Sequence, residues 1–247
     1  MYQRFKLIAK VFLFRVGLTV RFSKHMPTTS KFLDTFKDKV DLVLYVGANR
    51  GQMVNTYLNL FPGIPIVLYE PDKKLALELK ELFHSVENVS VKPCAVGDRN
   101  EMKSFYISSG TDGQSSSLLK MGQRHLDWSP ESKQDREENV KVVRLEDEGY
   151  GQYKNIFLKI DVQGYEMAAM AGLGALFNNL IAIDSEVSFE SLYEEDSDWI
   201  EICKLIESKG FRTYQIDPWF HDHTNKNELM QADIRFVRKN LISRNND

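Results

Sequence analysis

Two sets of residues in this sequence could do chemistry. The first is a short loop. The apolar run LVLYV at 42–46 ends in Gly47, Ala48, Asn49, Arg50 and Gly51, mostly small residues that let a backbone turn sharply, approach a bound molecule and open a helix. The second is a set of carboxylates at or near the ends of strand-like runs: Glu70 after IVLY, Asp98 after CAVG, Asp161 after FLKI, and Glu186 in IAIDSEVS. Ionised carboxylates accept hydrogen bonds from hydroxyl groups and can take their protons. Together these sets suit a cofactor held by the loop and a reaction that aligns and deprotonates an acceptor oxygen.

The loop spacing narrows the cofactor. A pyrophosphate-binding fingerprint needs G-x-G-x-x-G, with the phosphates against a helix N-terminus. Here Asn49 stands for the second glycine and Gln52 for the third, and no Lys-Ser/Thr pair follows to make a P-loop. G-x-N-x-G better suits a loop wrapping the amino-acid and ribose parts of S-adenosylmethionine, which has no phosphates. Glu70, 23 positions after Gly47, can accept both ribose hydroxyls, a job that serves NAD equally. Asp98 or its neighbouring backbone could receive the adenine amino group, the alternative being an ordinary turn residue in GDRN. The cofactor set is thus Tyr45, Gly47, Ala48, Asn49, Gly51, Glu70 and Asp98, and no metal is called for.

VGANRGQ, YEPD, AVGD, a Ser-rich stretch, KIDVQGYE and IDSEVSFESLY follow one another over roughly residues 40–240. In this series the chain resembles the FkbM family of S-adenosylmethionine-dependent methyltransferases. The resemblance implies the α/β, Rossmann-like class I methyltransferase fold: a mostly parallel seven-stranded sheet with a C-terminal antiparallel hairpin. It also implies O-methylation of sugars, glycans, polyketide-like metabolites or other hydroxylated compounds. The family usually places an acid two residues before the first glycine, where it holds the cationic methionyl amino group. Tyr45 departs from this, offering one phenolic oxygen without the charge and with more bulk.

The elements that must position these residues alternate from Asp41 onward, the pattern of a parallel sheet with helices on both faces. Strands are expected near 42–46, 65–69, 89–94, 156–161 and 180–187, and helices at 52–60, 72–84, 165–177 and 197–209. After Gly210, FRTYQID (211–217) and DIRFVRK (233–239) suggest an antiparallel edge hairpin. Residues 108–137, rich in Ser, Gly and charge, are longer than an ordinary connection and read as a lid or insertion near the carboxyl ends of the strands. In FLKID, Phe157, Lys159 and Asp161 share one face of a central strand. A buried lysine needs partners, so an ionic cluster of Lys159, Asp161 and Glu186 is expected, either catalytic or purely structural. Asp161 is the first choice for acceptor alignment or general base, Glu186 the second, with His125 behind them. Gly164 allows a tight turn, and Glu166 suits the N-terminus of the following helix.

Composition bounds the rest. The 247 residues, 43% of them hydrophobic, allow one catalytic-sized domain, 35–247, behind a basic helical segment, 1–34. That segment carries Arg4, Lys6, Lys10, Arg15, Arg21 and Lys24 before its first acid, Asp34. Its charges interrupt the apolar run too often for a spanning helix or an export signal. It reads as a helix packed on the domain or as a peripheral membrane contact through residues 1–25, which vesicle binding with and without those residues separates. A net charge of -3 gives no global basic surface, so nucleic acid is not an expected partner. Cys94 and Cys203 lack metal-ligand spacing and read as inert thiols of a reducing, cytoplasmic compartment. His221, Asp222 and His223 read as a solvated loop. Two alternatives stand beside the methyltransferase: a nicotinamide-dependent oxidoreductase, which titration with NADH and S-adenosylmethionine distinguishes, and a catalytically silent binding module.

Overall fold

The computed structural model describes residues 28–222 and 227–241. The basic stretch before Thr28 lies outside the described residues, and so does His223. In chain order the strands are β1 (Leu42–Val46), β2 (Ile66–Tyr69), β3 (Val89–Lys92), β4 (Ala95–Val96), β5 (Glu101–Ile107), β6 (Arg136–Val143), β7 (Ile156–Ile160), β8 (Leu180–Ser188), β9 (Phe211–Asp222) and β10 (Glu228–Arg238). The helices are α1 (Thr28–Asp34), α2 (Val54–Leu60), α3 (Lys73–Phe83), α4 (Gln123–Trp128), α5 (Glu166–Ala171) and α6 (Trp199–Ser208).

The main sheet has seven strands in the order β3-β2-β1-β7-β8-β10-β9. Its first five strands are parallel, and β10 runs antiparallel to both β8 and β9. This is the mostly parallel sheet with a C-terminal hairpin expected from the sequence. β1 and β7 are buried along their whole length, which explains why they read as apolar runs rather than alternating ones. One face packs against α1, α2 and α3 and the other against α5 and α6. Phe32 and Leu33 of α1 are buried in the first of these layers, so the core reaches back into the segment assigned to 1–34.

The helices follow their sequence signals. Asp72 caps α3 by accepting from the backbone N–H of Lys74 and Leu75 at 2.8 and 3.2 Å, and Leu75, Leu79 and Phe83 form its buried stripe. Asp198 caps α6 through Ile200 N–H at 2.7 Å. The single helix expected over 165–177 is split instead. α5 stops at Ala171, Gly174 takes a φ of 46°, and a 3-10 turn follows over Gly174–Asn179. A left-handed residue cannot sit inside a right-handed helix.

A second, three-stranded sheet, β4-β6-β5, is absent from the sequence expectations. It buries Phe105, Ile107, Val140 and Val142 against Leu118 and Tyr165. Residues 108–135 connect its two antiparallel strands β5 and β6 and carry α4. No described helix is long and apolar enough to cross a membrane.

Candidate active site

The strand order brings three of the four predicted carboxylates to one edge. Glu70 follows β2, the glycine loop follows β1, Asp161 follows β7, and Glu186 lies on the neighbouring β8. All four border one cavity of about 430 Å³ at the carboxyl ends of the parallel strands, where open α/β sheets bind ligands and large enough for a small molecule. The 108–135 connection borders it through residues such as Gln114, His125 and Trp128, and β9 through Trp219 and Phe220.

The loop is built by close backbone contacts. Gly47 has a φ of 78°, and a Cβ there would lie 1.7 Å from the Asp161 carbonyl oxygen. The N–H groups of Gly47 and Ala48 donate to the Tyr69 carbonyl at 3.1 and 3.0 Å, tying the loop to β2. Asn49 is left-handed (φ 46°), which asparagine tolerates. Its Oδ1 accepts from Arg50 N–H at 2.8 Å and Gln52 Nε2 at 3.0 Å, and its Nδ2 donates to the Asp112 carbonyl at 3.3 Å. Gly51 sits over Leu79 and Phe83 of α3. Ala48 and Gly51 therefore shape the loop from behind, while Tyr45, Gly47 and Asn49 border the cavity.

Glu70 is buried and doubly anchored: Oε2 accepts from Asn49 N–H at 2.7 Å and Oε1 from Asp72 N–H at 2.8 Å. Each oxygen keeps a second lone pair for a ligand hydroxyl. Burial pushes this carboxyl up to about 8 against the pull of those two hydrogen bonds. Asp98 does not reach the cavity. β4 pairs with β6 instead of prolonging β3, and Asp98, lying beyond it, pairs with Arg99 at 3.2 Å. Ala95 and Val96 border the cavity in its place.

The expected Lys159–Asp161–Glu186 cluster is partitioned differently. Lys159 Nζ bonds Asp233 at 2.7 Å and Asp184 at 3.4 Å, because Asp184 is its register partner across β7 and β8. Arg235, opposite Asp184 across β8 and β10, donates to Asp184 at 3.1 Å and also to Asp217. Burial alone would lower the Lys159 ammonium, but Asp184 and Asp233 outweigh it and keep it charged. Asp161 and Glu186 form a separate pair. Gln163 Nε2 donates to Asp161 at 3.0 Å and to Glu186 at 2.5 Å, Gln231 Nε2 reaches Glu186 at 3.2 Å, and the shared Gln163 amide holds the two carboxyl groups side by side. Burial raises both, and for Glu186 the neighbouring Asp161 adds to it.

Gln163 was not singled out from the sequence, although it lies inside KIDVQGYE. With φ 55° it starts a turn completed by Gly164 at φ 95°, and its Oε1 meets the Tyr193 hydroxyl at 3.0 Å. Ser117 of the 108–135 connection donates to the Gln163 carbonyl at 2.7 Å. Glu166 closes the same turn, accepting from Val162 and Gly164 N–H at 3.0 and 3.3 Å. His125 packs edge-on against Tyr193 at 5.4 Å. It is buried, its Nδ1 lacks a partner among the described residues, and burial lowers its basicity so that it stays neutral near pH 7.

Comparison with known proteins fits this geometry. Residues 46–213 match the model described as the methyltransferase FkbM domain. The chain belongs to the FkbM methyltransferase family. It is 27% identical to the 2-O-methyltransferase NoeI of Sinorhizobium fredii (strain NBRC 101917 / NGR234), over 68% of this chain and 71% of that protein. Among solved structures it is similar to an rRNA methylase from Streptococcus thermophilus (7% identity, TM-score 0.45, 89% of this chain and 99% of that one). It is also similar to precorrin-6y C5,15-methyltransferase from Geobacter metallireducens GS-15 (10% identity, TM-score 0.42, 88% and 92%). This FkbM chain is thus a methyltransferase enzyme, and its cofactor is S-adenosylmethionine. The site suits that cofactor: a side chain at Gly47 would fill the approach to Asp161, and Glu70 keeps acceptor lone pairs beside the loop.

Glu70 allows a test of the site's electrostatics. Folded Glu70 holds its proton up to about 8, whereas the unfolded chain releases it near the ordinary 4.5. Between those values the folded state binds more protons, so Glu70 makes stability fall as pH rises through this window. Glu70→Gln is expected to flatten that part of the stability profile, read by urea denaturation from pH 5 to 8.5. It should also weaken S-adenosylmethionine binding roughly tenfold or more, because an amide NH2 replaces one of the two oxygens that accept hydrogen bonds there. An unchanged affinity would remove Glu70 from the cofactor site.

Proposed function

We propose that this FkbM enzyme methylates a hydroxyl group of a sugar, a glycan or another small hydroxylated metabolite. The observation that carries this reading is the carboxyl pair of Asp161 and Glu186, held by Gln163 in the cavity that also contains the glycine loop and Glu70. When bound, S-adenosylmethionine supplies an electrophilic methyl group on its sulfonium. The protein's work is to align the acceptor oxygen behind that methyl and to remove its proton. One carboxyl of the pair accepts the hydroxyl hydrogen bond, and Gln163 fixes the position of both carboxyl groups. The naming of the relative as a 2-O-methyltransferase supports an oxygen acceptor.

The cavity mouth favours a ring. Phe220 of β9 meets Trp128 of α4 edge-on at 4.2 Å, and Trp219, 53% exposed, lies 5.5 Å from Phe220. These faces suit the C–H face of a pyranose or a flat apolar ring, while the carboxyl pair deeper in the cavity takes its hydroxyls. No cationic residue but Lys159 borders the cavity among the described residues, and its bonds to Asp184 and Asp233 leave little to attract a phosphorylated acceptor. The enzyme is placed in the cytoplasm, with any membrane contact made through residues 1–25.

The test is transfer of radiolabelled methyl from S-adenosylmethionine to a panel of glycosides and hydroxylated metabolites, with product identification by mass spectrometry. Label on oxygen is the expected result, and label only on nitrogen or carbon would overturn the reading. With an acceptor in hand, Trp219→Ala is expected to raise its KM roughly three- to tenfold, the scale of one aromatic contact, and to leave cofactor affinity unchanged. An unchanged KM would move the acceptor away from β9.

A further inference from the structure

We propose that Asp161 holds the ammonium of the cofactor's amino-acid end in this chain, in place of an acid at position 45. The inference rests on S-adenosylmethionine being the ligand of the cavity and assigns which side chain binds that end.

Strand order sets the direction of the ligand. Glu70 stands one strand to one side of the loop and Asp161 one strand to the other, steps of roughly 4.8 Å each. A nucleoside whose ribose lies on Glu70 therefore carries its other end across Gly47, whose backbone is packed against that of Asp161. That end brings an ammonium group, and a cation leaving water needs a carboxylate. Asp184 and Asp233 are already committed to Lys159 and Arg235. Glu70 lies on the ribose side. Among the described residues the side-chain donors to the Asp161–Glu186 pair are the amides of Gln163 and Gln231. Two buried carboxyl groups that share one amide resist ionising together; Lys159, whose charge reaches both, is bonded to Asp184 and Asp233, and the ligand ammonium supplies a second cation. Glu186, farther from the loop, is left for the acceptor hydroxyl.

Position 45 supports the same assignment. Tyr45 is 4% exposed, borders the cavity and lies opposite Lys159 in the β1–β7 register. Its ring packs edge-on to Tyr57 at 5.7 Å. Burial, and after it the charge of Asp161, keep the Tyr45 phenol protonated. It brings no negative charge. The Tyr57 hydroxyl is fully buried beside it, also borders the cavity, and has no hydrogen-bond partner among the described residues. This independent, unused donor suits the carboxylate of the same amino-acid end.

The experiment is calorimetric titration of the full chain with S-adenosylmethionine and with 5′-methylthioadenosine, which keeps the nucleoside and the sulfur but lacks the amino-acid end. Asp161→Asn is expected to weaken S-adenosylmethionine roughly tenfold or more and to leave methylthioadenosine within about twofold, which also reports that the variant is folded. Tyr45→Asp alone should tighten S-adenosylmethionine without moving methylthioadenosine, and in the Asp161→Asn background it should recover most of the loss. Equal losses for both ligands, no loss for S-adenosylmethionine, or weakened S-adenosylmethionine binding in Tyr45→Asp would each overturn the inference. Failure of the unmodified chain to bind either ligand would instead overturn the cofactor assignment, and the inference with it.

Discussion

Gly47→Ala is expected to abolish S-adenosylmethionine binding, with affinity falling more than roughly a hundredfold by calorimetry. Two separate costs meet at this position. Its φ of 78° is left-handed, which costs an alanine roughly 1–2 kcal/mol. The new Cβ would also lie 1.7 Å from the Asp161 carbonyl oxygen, and backbone cannot rotate aside as a flexible side chain can. Asp161 N–H donates to the Val46 carbonyl at 3.1 Å, so the ends of β1 and β7 would have to part exactly where the ligand is to lie. Gly63 supplies the control. It has the same φ of 78° with nothing within 4 Å of an added Cβ, so Gly63→Ala carries the strain alone and should lose stability modestly while binding normally. Binding by Gly47→Ala within tenfold of the unmodified chain would take the loop out of the site.

What the sequence reveals and what it hides divide by range of interaction. The loop, Glu70, Asp161 and the strands that carry them are legible because each is local: an apolar run, then a small residue or an acid at its end. Capped helices such as α3 are legible for the same reason. The partners of Lys159 are not. Asp184 stands two residues before Glu186 in IAIDSEVS, but Asp233 and Arg235 come from a strand more than seventy positions downstream, and only the antiparallel register of β10 on β8 brings them over. The alternation of Asp233 and Arg235 in DIRFVR was the available signal, since charges two apart on an inner strand must face something. The small sheet was hidden for another reason. β4 is two residues long, and the charged start of REENVKVV masks the alternation of Val140 and Val142 in β6. Tyr57 and Gln163 gain their meaning only from what lies across the cavity.

The downstream charges lead to the largest expected change in stability. Lys159→Ala should destabilise the fold by about 3–5 kcal/mol, the cost of breaking a buried ion pair, and so remove a large share of a typical stability of roughly 5–15 kcal/mol. Asp184 is almost fully buried and would keep Arg235 alone as a bonded cation, while Arg235 also serves Asp217. Asp233, half-buried, would lose its lysine. Lys159→Met separates charge from packing, because it keeps an apolar stem of similar reach, and most of the loss should persist in it. The sign with pH follows from linkage. With no ammonium beside them, the folded carboxyl groups hold their protons more tightly than in the unfolded chain, so each variant gains on the unmodified protein as pH falls from 7 to 5. Urea denaturation across that range reads both the loss and its narrowing, and a pH-independent difference would assign the effect to packing. The same network ties β10 to β8 beside Glu186 and Gln231. Loss of Lys159 should therefore loosen the acceptor side of the cavity before the Glu70 side, and a variant still folded at pH 5 should bind methylthioadenosine better than it transfers methyl groups.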